Sequence, residues 1–257
     1  MTQSDGRFAP GSQLPGGNIN PVARDGDTVR RPLGPNASFV HRLLRFLEER
    51  GFDASPCFLG IDEDGREVLS FMHGHVAWAG EQPEAIGSQE SLEAVARIVR
   101  SLHDLTSGSE LAGDAETVVH GDLAPRNTVY IDRGEGLRPA AFIDWDLARP
   151  GRRVEDVVDM LWQYLDPGPG HSTSQFTQRM RLMCGAYGLE AGRRDLVGLM
   201  HRRMLEVVDG IASQADSGSA AHERLVEKGT LSDIRAQVSW LAAHRYELET
   251  ALAQRTP

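Results

Sequence analysis

The sequence contains only two cysteines, Cys57 and Cys184, in 257 residues. With neither C-x-x-C spacing nor a clustered histidine they form no disulfide framework and no structural zinc site, so a reducing, cytoplasmic compartment is expected. Long hydrophobic runs are also missing. No stretch of about 18 apolar residues occurs, and Met1 to Gln13 is polar without an apolar leader core. The expectation is a chain neither exported through a signal peptide nor embedded in a membrane. Positive charge is in deficit as well: 27 Lys and Arg face 37 Asp and Glu, a net charge of −10. That balance repels nucleic-acid phosphates and favours a cationic small molecule as partner. Basic pairs such as Arg152-Arg153 and Arg202-Arg203 are scattered among acids and read as solvated helix faces.

What is present is an ordinary globular balance, 40% hydrophobic and 25% charged, in a chain long enough for one domain or a two-lobed one. Residues 1–13 read as a mobile arm. Residues 14–72 then alternate turn signals with short β-prone pieces: Gly16-Gly17, Ile19 to Ala23, the Asp25-Gly26 turn, Thr28 to Arg31, and later Pro56 to Ile61 and Arg66 to Phe71 around an Asp62–Gly65 turn. Between them Phe39, Val40, Leu43, Leu44 and Leu47 fall at helical spacing, with Asn36 or Ser38 to cap and Gly51 to stop. The order is β-β-β-α-β-β. Residues 73–257 are mostly helical, beginning with a helix capped by Ser88 and carrying Leu92, Val95, Val99 and Leu102 on one face. One hairpin, Thr128–Asp132 and Pro139–Asp144 around Arg133–Gly136, interrupts the helices. The fold class expected is α+β in two lobes, a small antiparallel β lobe and a larger helical lobe with an inserted β-hairpin.

The chemistry concentrates at His120-Gly121-Asp122-Leu123-Ala124-Pro125-Arg126-Asn127 and at Phe142-Ile143-Asp144-Trp145-Asp146. Paired residues in an antiparallel hairpin have a constant number sum, and a turn centred between Glu135 and Gly136 sets Asn127 opposite Asp144. An amide oxygen and a carboxylate side by side suit Mg²⁺, which takes one or two protein oxygens and completes its shell with water and phosphate. Asp122, on the loop entering the hairpin, is free to act as a base.

This layout resembles the protein-kinase-like fold and, within it, the aminoglycoside phosphotransferase family, whose catalytic loop reads H-G-D-x-x-x-x-N and whose metal strand ends in I-D-x-D. Leu102-His103-Asp104 and Asp156 also look like family features. The resemblance implies that Asp122 accepts the proton of a substrate hydroxyl, that Asn127 and Asp144 hold Mg²⁺, and that ATP, or GTP, lies between the lobes. It further implies that Gly17 approaches a phosphate and that the segment from Ser70 to Met72 meets the adenine edge. The first lobe has no lysine, and an arginine stands in its place: if Val29 packs on the adenine, strand alternation turns Arg31 toward the phosphates and Arg30 outward, and the opposite facing gives that contact to Arg30. A helix glutamate to orient that cation is not evident, since Glu48 and Glu49 occupy the last helical turn. His120 reads as a structural histidine, Asp146 as a hydrogen-bond acceptor beside the metal, and Trp162, Tyr164 and Trp240 as core. The function expected is a small-molecule kinase acting on an alcohol group, with a nucleotide-binding, pseudokinase-like sensor as the alternative. A third reading makes His120, Asp122, Asp144 and Asp146 a hydrolase metal site. Nothing in the sequence sets an oligomeric state.

Overall fold

The structure, a computed structural model, describes residues 12–13 by backbone and residues 23–78, 80–189 and 195–254 in full. Gly16, Gly17 and residues 19–22 lie outside the described residues, as do residues 1–11. Ser12–Gln13 forms a short strand, β1, so an arm running to Gln13 is corrected: its last two residues pair with β2.

A turn at Gly26-Asp27, one residue later than the Asp25-Gly26 expectation, joins β2 (Ala23–Asp25) to β3 (Thr28–Arg31), with Asp25 paired to Thr28. Helix α1 (Ala37–Glu49) follows, burying Val40, Leu43, Leu44 and Leu47. Its N-cap, Asn36, makes no side-chain cap; Nδ2 donates instead to the Ala148 carbonyl at 2.7 Å, tying the helix start to the second lobe. Strands β4 (Phe58–Ile61) and β5 (Glu67–Ser70) complete a five-stranded antiparallel sheet of order β1-β2-β3-β5-β4. Among the described residues the order is β-β-β-α-β-β, with the first strand at Ser12–Gln13, ahead of the expected start at residue 14.

The remainder is mainly helical. It opens with β6 (His75–Val76), a strand too short to carry a period in the sequence, and then α2 (Gln89–Thr106), where Ser88 Oγ accepts from the Ser91 N–H as a cap. Two ladders follow. β7 (Thr117–Val119) pairs with β10 (Arg149–Gly151), and β6 pairs with β8 (Thr128–Asp132), which pairs in turn with β9 (Leu137–Phe142). Segments 120–127 and 143–148 run between these ladders, pinned at both ends. Helices α3 (Arg153–Leu165), α4 (Thr173–Tyr187), α5 (Asp195–Asp216), α6 (Ala220–Glu227) and α7 (Thr230–Ala253) surround them. One apolar core runs from Leu43 and Leu47 through Leu102, Phe142 and Trp145 to Met180 and Leu241, joining the first-lobe helix to the last helix. No helix among the described residues is long and apolar enough to cross a membrane.

Candidate active site

The loop from His120 to Asn127 is built around a buried carboxylate. Asp156, on α3, accepts the N–H groups of His120 at 2.8 Å and Gly121 at 3.0 Å, and the Nε2–H of His103 from α2 at 3.0 Å. Burial by itself would raise its pKa, but the His103 hydrogen bond and the neighbouring imidazoles hold the carboxyl below the usual range. His120 is fully buried. Its Nδ1 accepts from the Asp122 N–H and its Nε2–H donates to the Ile143 carbonyl, so one ring joins the segments 120–127 and 143–148. Burial, opposed by Asp156, Asp122 and Asp144, depresses its pKa and keeps it neutral. Both ring nitrogens are engaged with the backbone, the arrangement of a structural histidine. Gly121 takes φ +79°, and an added Cβ would lie 2.6 Å from the Leu147 carbonyl oxygen, so only glycine fits between the segments.

Asp122 projects from this scaffold. Its Oδ2 accepts from Asn127 Nδ2 at 2.7 Å and its Oδ1 from Arg126 Nη2 at 2.6 Å. Asn127 Nδ2 also reaches the Asp122 carbonyl at 2.9 Å, and both partners being acceptors fixes the amide so that Oδ1 points elsewhere. Thr128 holds the loop exit: its Oγ donates to the Ala124 carbonyl and meets the Tyr164 hydroxyl at 2.5 Å.

The hairpin register differs from the expected one. Asp132 pairs with Leu137 and Tyr130 with Pro139, but Val129 pairs with Ala141 and Thr128 with Phe142, a one-residue bulge. Proline offers no N–H to the ladder, and the slip occurs beside Pro139. The turn itself is centred one residue earlier than expected, between Gly134 and Glu135, and the bulge makes up part of that offset, so Asn127 lies opposite Ile143, whose N–H its carbonyl accepts at 2.9 Å, not opposite Asp144. Asp144 stands one residue beyond in a left-handed conformation, φ 65°, uncommon for a residue other than glycine. Its carboxylate reaches solvent while ringed by protein; burial and then Asp146 push its pKa up, against Arg31.

Arg31 crosses from β3 to this group. Nη2 lies 2.5 Å from Asp146 Oδ1, Nη1 3.2 Å from Asp146 Oδ2 and 3.4 Å from Asp144 Oδ1, and Nε 2.6 Å from Glu67 Oε1. Burial disfavours the guanidinium charge, but Asp146, Glu67 and Asp144 outweigh it. Arg30 faces the other way, pairing with Asp25 and Asp62. Asp146 is an acceptor, as expected, although its partner is Arg31. Glu67 and His41, which bonds it, were not singled out from the sequence; the β3/β5 register, with Arg31 directly opposite Glu67, is the signal that finds them.

At the end of β5 the N–H groups of Ser70 and Phe71 donate to the carbonyls of Cys57 and Asp27, and Ser70 Oγ accepts from the Cys57 N–H. Met72 follows, half-buried. Trp162, Tyr164 and Trp240 are buried in the core, and Asp166 ends α3 with its carboxylate on Gln237. Sequence reasoning also missed the pair formed by Asp159 on α3 and Arg203 on α5, whose Nε and Nη2 lie 2.8 and 3.0 Å from the carboxylate.

Residues 108–180 match the model of the phosphotransferase enzyme family. The chain is 31% identical over 267 residues to the trifolitoxin immunity protein of Rhizobium leguminosarum bv. trifolii, covering 93% of this chain and 98% of that one. Among solved structures it resembles a putative aminoglycoside phosphotransferase from Ralstonia eutropha (TM-score 0.61, 16% identity, 93% of this chain and 94% of the other). It also resembles a choline/ethanolamine kinase family protein from Mesorhizobium loti (TM-score 0.58, 18% identity, 96% and 94%).

Proposed function

Because the chain belongs to the aminoglycoside phosphotransferase family, we propose that it moves the γ-phosphate of ATP, with GTP as the other candidate donor, to a hydroxyl of a small molecule. The observation that carries this reading is Asp122, half-buried on the loop that follows β7, with both carboxylate oxygens oriented by Arg126 and Asn127. In that role Asp122 accepts the acceptor's hydroxyl proton as the new O–P bond forms and the bond between the γ-phosphorus and the bridging oxygen breaks, releasing the nucleoside diphosphate.

The donor set suits Mg²⁺. Asn127 commits its NH₂ to Asp122 and keeps its amide oxygen, and Asp144 offers a solvent-reaching carboxylate, hard oxygens of the kind Mg²⁺ takes beside phosphate and water. Bound there, Mg²⁺ would supply charge neutralisation on the phosphates. Arg31 is the cation for the same phosphates. With the Ser70 and Phe71 N–H groups engaged inside the first lobe, backbone donation to the base falls to Met72. Gly17, assigned to the phosphates, lies outside the described residues. The net charge of −10 favours a cationic acceptor such as an aminoglycoside, and the relative's name makes a toxin a second candidate to screen.

Thermal unfolding with Mg²⁺ alone and then with ATP or GTP tests the donor. A ligand at 100 times its Kd stabilises the folded chain by about 2.7 kcal/mol. A rise that needs both metal and nucleotide is expected; no rise at millimolar nucleotide overturns the reading. Asp122→Asn should reduce transfer of labelled phosphate by at least about 100-fold and leave that rise in place. The engagement of Arg31 by three carboxylates favours one other reading, a sensor that binds nucleotide without turnover; stabilisation by nucleotide with no transfer from the wild type to any acceptor would establish it.

A further inference from the structure

We propose that Glu67 and His41 are the positioning residues of the nucleotide-binding cation: Glu67 holds Arg31 from its Nε side so that its Nη groups point at Asp144 and Asp146 in the cleft, and His41 fixes Glu67. The inference rests on the donor reading above. Antiparallel pairing sets Arg31 and Glu67 directly opposite on one face of the sheet, where cross-strand side chains meet. Glu67 is 2% exposed, and each carboxylate oxygen has one partner: Oε1 lies 2.6 Å from Arg31 Nε, an ion-pair contact without hydrogen-bond alignment, and Oε2 is hydrogen-bonded to His41 Nε2 at 2.8 Å. His41 comes from α1 and stacks on Phe58 of β4, ring centroids 3.8 Å apart and 17° from parallel, with the Arg45 guanidinium over the same Phe58 ring. The imidazole cannot swing away without losing that stack.

Helix and strand have exchanged roles here. The glutamates of α1, Glu48 and Glu49, are exposed at its far end, and the helix supplies a histidine instead, while the carboxylate comes from β5. The exchange fits the cation. A lysine has one nitrogen, which must serve both its anchor and the phosphate. An arginine has two edges, one to anchor and one to present. The chain uses a single lysine, Lys228, among its 27 basic residues. A carboxylate this buried confers little net stability over an apolar residue of similar volume, so its value at Glu67 is orientation.

Three variants of the full chain decide it, each titrated with ATP at fixed Mg²⁺ while the unfolding midpoint is followed. His41→Phe keeps a ring on Phe58 and loses the donor; it should bind ATP about fivefold more weakly. His41→Gln restores a donor and should bind within about twofold of wild type. Glu67→Gln should weaken binding at least as much as His41→Phe, and if it does not fold the His41 pair decides alone. His41→Phe binding as wild type, or His41→Gln no better than His41→Phe, overturns the positioning role while leaving the donor reading standing. A wild type that ATP does not stabilise overturns both.

Discussion

At Gly121 the backbone takes φ +79° against the Leu147 carbonyl, and neither side can retreat, since one is the catalytic loop and the other the segment carrying Asp144 and Asp146. Gly121→Ala should lose at least about 2 kcal/mol in urea unfolding and most of any transfer activity, because the strain falls one residue before Asp122. Behind the loop two aspartates of α3 titrate in opposite senses. Asp159 is buried and, despite Arg203, pushed from 3.8 up to about 6, with Asp156 and Asp122 adding to the rise. The folded chain thus holds this proton more tightly than the unfolded one, so the contribution is present below about pH 4 and lost as the pH rises through about 6. The stability of wild type minus that of Asp159→Asn should fall by up to about 3 kcal/mol over that window. Asp156, held low by its hydrogen bonds, gives the reverse, a contribution present above about pH 4 and lost on acidification.

Between elements, the catalytic loop is steadied by a polar line from α4 through α2 to α3: the Tyr187 hydroxyl donates to His103 Nδ1 at 2.8 Å, and His103 passes the order to Asp156. Tyr187→Phe leaves a buried imidazole nitrogen unpaired and should cost about 1–2 kcal/mol, measured by chemical unfolding. Sequence alone reached the elements whose signal is local. Ser88, Gly51 and the leucines of α1 and α2 mark helices, and the strands from Thr28 to Ser70 alternate between turn formers. It did not reach β6, β7 or β10, because two or three residues carry no period. Nor did it fix the turn, which is centred one residue earlier than expected, between Gly134 and Glu135; the bulge beside Pro139 recovers only half of that offset, so Asn127 and Asp144 were brought together by the wrong register. Glu67 stayed hidden for a related reason: its partner is 36 positions away (67 − 31) and meets it only through strand pairing. The motif residues needed no such knowledge, since Asp122 and Asn127 share one loop and hydrogen-bond within it.

For the whole molecule, Arg31 is the main charged tie between a sheet-based lobe and a helical one, assisted by Asn36 on the Ala148 carbonyl and by the Phe142 N–H on Ala54. Arg31→Ala strands Glu67, Asp144 and Asp146 together. Scanning calorimetry should then show a midpoint lowered by several degrees and a van't Hoff enthalpy below the calorimetric one, as the smaller lobe begins to melt by itself. The same residue has a consequence for chemical detection. Reagents that find nucleotide sites by delivering an acyl group to a nearby amine need a lysine at the phosphates, and a guanidinium, charged at any working pH, does not react. The single amine side chain of this chain is Lys228, exposed just beyond α6, far along the sequence from β3. A survey of nucleotide-binding proteins built on amine acylation should therefore pass this protein over even when the nucleotide of the proposed reaction is bound.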